Sequence, residues 1–67
     1  MDIPRKHSMK IVYTLRDLFG YTIGDVTENP SAGTFHAYHY GTDETYGPFK
    51  TEEDAEIFLN QVEYDLK

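Results

Sequence analysis

The sequence predicts an α+β domain: an antiparallel sheet of three or four strands packed on one C-terminal helix, in a βββα-like order. Three observations predict this class. Stretches rich in β-branched and aromatic residues alternate with turn residues through the first two thirds of the chain. The strongest turn signal, Asn29-Pro30-Ser31-Ala32-Gly33, separates two of these stretches. The last third carries a helix-initiating segment followed by an amphipathic run.

The chain has 67 residues, room for one domain near the lower size at which a core sustains folding unaided. Residues 1–8 contain basic side chains but no apolar stretch, so we interpret them as a flexible tail and not as a signal peptide. Met9 could serve as an alternative start, and the domain is assigned to residues 9–67. Cysteine is absent and no apolar run approaches the roughly 18 residues of a membrane span. We therefore expect a soluble, cytoplasmic protein without membrane contact.

The strand-like segments are residues 9–15, 21–28 and 34–40, with a short fourth at 45–49. Residues 16–20 fit either a helical turn closed by Gly20 or a hairpin connection with a bulge. The strand-like segment that follows favours the hairpin. Pro48 cannot donate to a ladder, so it restricts the fourth strand to a sheet edge.

A four-residue loop at 29–32 would place residues of similar type opposite each other across the hairpin of the second and third strands. It places Val26 opposite Phe35 and Gly24 opposite Ala37 on one side of the sheet. The other side would then carry the pairs Asp25–His36, Ile23–Tyr38 and Tyr21–Tyr40.

The helix is predicted from Thr51 to about Leu66. Thr51 is a good N-cap residue, Asp54 stands three positions later as in a capping box, and the acidic first turn suits the helix dipole. One apolar stripe follows helical spacing and should cover the sheet: Ala55, Phe58, Leu59, Val62 and Leu66. Ile57 and Tyr64 lie on the opposite side of the helix.

The net charge of −6 is concentrated in the C-terminal part. Residues 1–40 carry four acidic and four basic side chains, whereas residues 41–67 carry eight acidic and two basic ones. Such a surface repels phosphate backbones, which argues against general nucleic-acid binding. It fits either a solvated acidic helix or a patch that steers the domain toward a basic partner.

Six tyrosines and four phenylalanines are many for so short a chain. If the helix covers Val26 and Phe35, several aromatic residues lie on the exposed side of the sheet, where they serve either cross-strand packing or partner contact. The candidate partner-binding residues on the sheet and the helix are Tyr21, Ile23, His36, Tyr38, Tyr40, Glu53, Glu56, Ile57 and Tyr64.

The residues do not predict a catalytic or metal site. His36 and His39 are separated by three positions in a strand, so they should point to opposite faces and cannot chelate one metal. A pair between His36 and Asp25 in the predicted register would be structural. No serine has a base fixed beside it, and no glycine-rich phosphate loop occurs. We expect neither an enzyme nor a cofactor.

The leading hypothesis is a small non-enzymatic protein-interaction or regulatory module, comparable to accessory proteins of phage or mobile elements. It would bind a protein through the tyrosine-rich sheet face, the acidic helix, or both. One alternative is an acidic inhibitor that imitates a nucleic-acid backbone, and another is a sheet that binds single-stranded nucleic acid. Homodimerisation through the open sheet face competes with all three.

Overall fold

The computed structural model describes residues 10–66, and the predictions made for residues 1–8 and Met9 lie outside this range. The chain forms β1 (Lys10–Arg16), β2 (Thr22–Asn29), β3 (Thr34–His39), β4 (Glu44–Phe49) and α1 (Glu52–Asp65). The strands make one antiparallel sheet in the order β1-β2-β3-β4, and α1 packs mainly on β3 and β2. The predicted α+β class is confirmed. The fourth strand is present and lies at the sheet edge, as Pro48 predicted.

The register between β2 and β3 differs from the predicted one by two residues. Val26 lies opposite Ala37 and Asp25 opposite Tyr38, so the loop comprises residues 30–33 and not 29–32. The reason is local: the Asn29 carbonyl accepts the Gly33 N–H at 2.8 Å, which keeps Asn29 inside the ladder. Because side chains alternate with a period of two, a shift of two leaves Asp25, Val26, Ala37 and Tyr38 on their predicted faces.

The two loops that flank β3 are built alike. Gly33 ends the first loop with φ 68°, and Asp43 ends the second with φ 57°. The Asp43 N–H donates to the His39 carbonyl at 2.8 Å, as the Gly33 N–H does to Asn29. Both loops therefore need a left-handed residue at their last position, which glycine and aspartate tolerate better than most residues.

The β1–β2 connection is a hairpin, as the sequence favoured, and its ladder is interrupted by two bulges. Tyr13 lies opposite Val26 while Ile11 lies opposite Thr27, so Val12 is an extra residue in β1. At the other end, the ladder steps from Leu15–Gly24 to Arg16–Thr22. Each extra residue bends the hairpin and re-aims its neighbours.

The predicted helix boundaries are confirmed within one residue. The Thr51 hydroxyl accepts the Asp54 N–H at 3.1 Å, which satisfies one of the unpaired donors of the first turn. Ala55 and Leu59 are fully buried. Leu66 was wrongly placed in the buried stripe, because it is the C-cap residue beyond the last turn and stays 57% exposed.

The core of the described residues is small. Its fully buried apolar side chains are Val26, Ala37, Ala55 and Leu59. Beside this core, Phe58 of the helix packs on two aromatic rings of β4. Its ring centroid lies 5.0 Å from that of Tyr46 and 5.3 Å from that of Phe49. Small residues at the centre and aromatic ones at the side bring the helix close to the sheet.

Candidate functional site

The side of the sheet that faces away from the helix is called the open face here. One row of residues crosses all four strands on this face: Thr14, Asp25, Tyr38 and Thr45. Val26 and Ala37, the next residue of β2 and the preceding residue of β3, are buried against the helix, so alternation places the row on the other side. The open face is therefore polar along its middle.

Two tyrosines of the open face are tied to carboxyl groups. The Tyr40 hydroxyl donates to Asp25 Oδ2 at 2.6 Å, and the Tyr38 hydroxyl donates to the Asp43 carboxylate. The two rings meet edge to face with centroids 4.9 Å apart. These hydrogen bonds raise the pKa of both tyrosine hydroxyls above the usual 10.0, because deprotonation would set a phenolate against a carboxylate.

Asp25 is one of two side chains on this face with an unsatisfied buried atom among residues 10–66, and His36 is the other. Asp25 is only 7% exposed, and its Oδ1 is buried without a hydrogen-bond partner from the described residues. Leaving a buried polar atom unpaired costs about 1–3 kcal/mol, and more for a charged group. Buried polar atoms in folded proteins nearly always have a partner, so this oxygen marks a position where a donor is missing.

The two histidines of β3 point to opposite faces, as predicted. His36 lies opposite Thr27 on the open face, and its Nδ1 is buried without a hydrogen-bond partner in the described part of the chain. The predicted pair between His36 and Asp25 is wrong, because the two-residue shift in register places Tyr38, and not His36, opposite Asp25. The hydrogen bond to the Asp25 carboxyl group comes from the Tyr40 hydroxyl.

His39 lies on the helix side and is 2% exposed. Its Nδ1 accepts the Thr42 backbone N–H at 3.2 Å, and its Nε2 lies 2.9 Å from Glu63 Oε1 of the helix. Because Nδ1 is an acceptor, the ring proton sits on Nε2 and is donated to the carboxylate. This contact joins sheet and helix.

The β1–β2 turn presents apolar side chains directly to solvent. Leu18 is 99% exposed, Phe19 84% and Tyr21 73%. The turn itself is held firmly: Asp17 Oδ1 accepts the N–H groups of Phe19 at 2.8 Å and Tyr21 at 3.0 Å. The Arg16 guanidinium donates to the Gly20 carbonyl and to Thr22, each at 3.3 Å.

A groove of about 500 Å³ separates this turn from the C-terminal half of the helix. Its lining residues are Leu15, Arg16, Asp17, Leu18, Phe19, Ile23, Asn60 and Glu63. Ile23 was wrongly placed on the open face. It is the extra residue of the second bulge and lies in the groove together with Asn60 and Glu63 of the helix.

The remaining predicted residues lie along one flank of α1. Ile57 and Tyr64 are 61% and 75% exposed and stand at i−3 and i+4 from Asn60, so they border the groove. Glu53 and Glu56 lie on the same flank by helical spacing. A hydrogen bond with Glu52, followed by desolvation and the charges of Glu52 and Glu53, raises the pKa of Glu56 above the usual 4.5.

Sequence reasoning missed Leu18 and Phe19 as candidate contact residues. It treated residues 16–20 only as a connection between strands. The available signal was two adjacent large apolar residues before Gly20 in a turn, where no strand or helix period could bury them.

Searches of protein-family models, curated proteins and solved structures give no match for this chain. Within residues 10–66, no helix is long and apolar enough to cross a membrane. In the same range, no three histidine, aspartate or glutamate side chains come together as metal ligands.

Proposed function

We propose that this chain is a non-enzymatic module that binds a protein partner through a tip surface made of Leu18, Phe19, Tyr21, Ile57 and Tyr64. The observation that carries the proposal is the exposure of Leu18 and Phe19, 99% and 84%, at the end of a braced hairpin. A cytoplasmic location belongs to the proposal and is supported by the cysteine-free composition.

The tip surface has the physical properties of a binding anchor. When a partner covers large apolar side chains that were exposed to water, the complex is stabilised by roughly 25 cal/mol per Å² of apolar area buried. The hydrogen bonds of Asp17 and Arg16 hold the turn before any partner arrives. A preorganised loop loses less conformational entropy on binding than a mobile one, so more of this gain appears as affinity.

Charge around the tip surface indicates the kind of partner. Glu63 lines the groove beside Phe19, and Glu53 and Glu56 lie on the flank that carries Ile57 and Tyr64. Interfaces typically place apolar anchors at the centre and charged groups at the rim. We therefore propose a partner with an apolar pocket bordered by lysine or arginine.

The proposal is tested by replacing both tip residues, Leu18→Ser with Phe19→Ser. Both side chains are exposed, so the free energy of unfolding should change by no more than about 0.5 kcal/mol. Affinity capture from a native lysate, with the wild-type chain as bait, should recover a partner that the double variant loses by more than about tenfold.

Ile11→Ser is the matched control. Ile11 is 60% exposed, but it pairs with Thr27 near the far end of β1, about 17 Å along the strand from the turn. Capture should survive this change. Equal capture by the wild-type chain and the tip variant, or equal loss with Ile11→Ser, would refute the proposal.

Salt dependence separates this function from imitation of a nucleic-acid backbone. A mimic that replaces several phosphates loses roughly 10³–10⁵ in affinity between about 50 and about 200 mM salt, and DNA competes with it. Binding anchored on apolar tip residues should fall by less than about tenfold over that range. A gel shift with a short oligonucleotide tests the single-strand hypothesis, and sedimentation at several concentrations tests self-association.

A further inference from the structure

Asp25 has an unpaired oxygen at the most enclosed point of the open face. Its side chain is 7% exposed, Tyr40 supplies its one hydrogen bond within residues 10–66, and Oδ1 has no partner. Buried acceptors nearly always have a partner, so this oxygen is available to a donor from outside the described residues.

The surroundings of Asp25 are anionic and aromatic. Asp43 adds a second carboxyl group, reached through the Tyr38 hydroxyl, and the rings of Tyr38 and Tyr40 pack against each other. Among the described residues, neither carboxyl group pairs with a lysine, arginine or histidine. The Arg16 guanidinium is hydrogen-bonded to Gly20 and Thr22 instead.

The imidazole of His36, two residues from Tyr38, does not complete the site either. A Cβ placed on Gly47 would lie 3.0 Å from His36 Cδ2, so the ring stands beside β4. No hydrogen bond joins it to Asp25 in the described part of the chain.

We propose that Asp25, Tyr38, Tyr40 and Asp43, called the acid–tyrosine site below, bind a guanidinium group from an arginine side chain of a protein partner. A guanidinium is planar, carries five donors and stacks on aromatic rings, so it suits carboxylates flanked by tyrosines. Hydroxyls whose pKa is raised stay protonated at neutral pH, which keeps the rings neutral beside the carboxylates.

Access to Asp25 depends on Tyr40. The Tyr40 hydroxyl occupies Oδ2 and Oδ1 is buried, so a ligand binds the carboxylate by displacing the Tyr40 hydroxyl from Oδ2. Tyr40 is 47% exposed, and it is held by its hydrogen bond to Asp25 and by the Tyr38 ring. The incoming guanidinium exchanges for the Tyr40 hydroxyl. Tyr40→Phe, which keeps the ring but lacks the hydroxyl, should therefore bind at least as tightly as the wild-type chain.

The experiment titrates an N-acetylated, C-amidated Gly-Arg-Gly peptide into isotope-labelled protein and follows the backbone amides by NMR. Shifts should concentrate at Asp25, Tyr38 and Tyr40. The same peptide with citrulline, a neutral isostere, should bind at least about tenfold more weakly. Free arginine, which adds an ammonium and a carboxylate, should bind no more tightly than the peptide. Tighter binding of free arginine would overturn the assignment to a protein partner.

Variants locate the binding site. Asp25→Asn should weaken binding of the arginine peptide by at least about tenfold. Asp54→Asn removes the same charge from an exposed helix position and should leave the affinity within about twofold. Asp43→Asn provides a second test at the same site should Asp25→Asn fail to fold.

Absent shifts, equal binding of citrulline, or equal loss with Asp54→Asn would overturn the proposal. The inference extends the protein-binding function to a second surface and does not involve the tip surface. Failure of the tip variant in lysate capture would therefore leave the peptide titration unaffected, and the two results can be told apart.

Discussion

Gly24 and Gly33 show that glycine meets two different requirements in this small sheet. A Cβ at Gly24 would overlap the Tyr38 carbonyl oxygen and come within 3.0 Å of Leu59 Cδ1. The missing side chain therefore lets the helix approach β2. At Gly33 a Cβ would meet nothing within 4 Å, but the backbone has φ +68°. Gly33 is therefore needed for the backbone conformation of the turn, and not for close packing.

Alanine substitution should separate these two causes. Gly33→Ala should lower the free energy of unfolding by about 1 kcal/mol, the cost of a left-handed non-glycine residue. Gly24→Ala adds overpacking against backbone and core and should cost about 2–3 kcal/mol. Each kcal/mol corresponds to roughly 4–8 °C in Tm for a domain of this size, so thermal unfolding followed by circular dichroism resolves the two. A cost at Gly33 equal to or above that at Gly24 would contradict this account.

At the scale of elements, helix α1 contains a pair of like charges, and other features of the helix must offset the repulsion between them. Glu52 and Glu56 stand at i and i+4, where like charges destabilise a helix. Glu53 adds a third negative charge, and the last turn contains no basic residue to favour the dipole. The N-cap at Thr51 and the buried Ala55 and Leu59 act in the opposite direction.

Glu56→Gln should stabilise the protein at neutral pH by roughly 0.2–0.5 kcal/mol, or about 1–4 °C in Tm. The folded state raises the pKa of Glu56, so protonation favours folding. The wild-type chain should gain stability relative to the variant as the pH falls through that raised pKa, and lose it again as the pH rises. Thermal unfolding across acidic and neutral pH measures the difference, which should shrink in acid.

Glu44→Gln removes an equal charge from β4 and serves as the control. Glu44 is exposed and lies in the sheet, away from the helical pair. The difference in stability between the wild-type chain and Glu44→Gln should therefore stay nearly constant with pH. A pH-dependent gain of equal size at Glu44 would mean that net charge, and not the helical pair, is responsible.

For the whole molecule, the link between sheet and helix depends on a polar contact as well as on the small apolar core. His39 lies in β3, accepts a hydrogen bond from the Thr42 backbone, and pairs with Glu63 near the end of α1. His36 lies three residues earlier in the same strand, and its buried Nδ1 has no hydrogen-bond partner between residues 10 and 66. The same residue type thus has opposite roles on the two faces.

The substitution His39→Leu should destabilise the protein by about 1–3 kcal/mol, because it removes the hydrogen bonds that the imidazole makes with the Thr42 N–H and with Glu63. His36→Leu removes an unsatisfied group and should be neutral or stabilising. Urea unfolding of the two variants measures both free energies. Equal losses at the two positions would show that ring volume, and not hydrogen bonding, determines the cost.

Much of the fold could be predicted because the relevant signals are local. Thr51 and the acidic turn after it define where the helix begins, and Pro48 restricts its strand to an edge. The faces of β2 and β3 also followed from period-two alternation, even though the predicted register was wrong by two. The register itself depended on which residue of the 29–33 segment kept its hydrogen bonds in the ladder.

The candidate sites were predicted less completely, because they depend on contacts between distant residues. Tyr38 and Tyr40 were correctly expected on one face, but their bonds to Asp43 and Asp25 need the observed register. Ile23 changed sides through a bulge, which shifts one residue without a clear local signal.

The sequence alone determined the α+β class, the helix boundaries, the edge position of β4 and the acidic C-terminal part. These features depend on propensity, capping and composition, which act over a few neighbouring residues. The tertiary structure alone decided that Leu18 and Phe19 are exposed to water and that His39 joins the sheet to Glu63. It also decided that Asp25 is buried with one oxygen that no other described residue pairs. Burial and pairing depend on what the rest of the chain brings to each side chain.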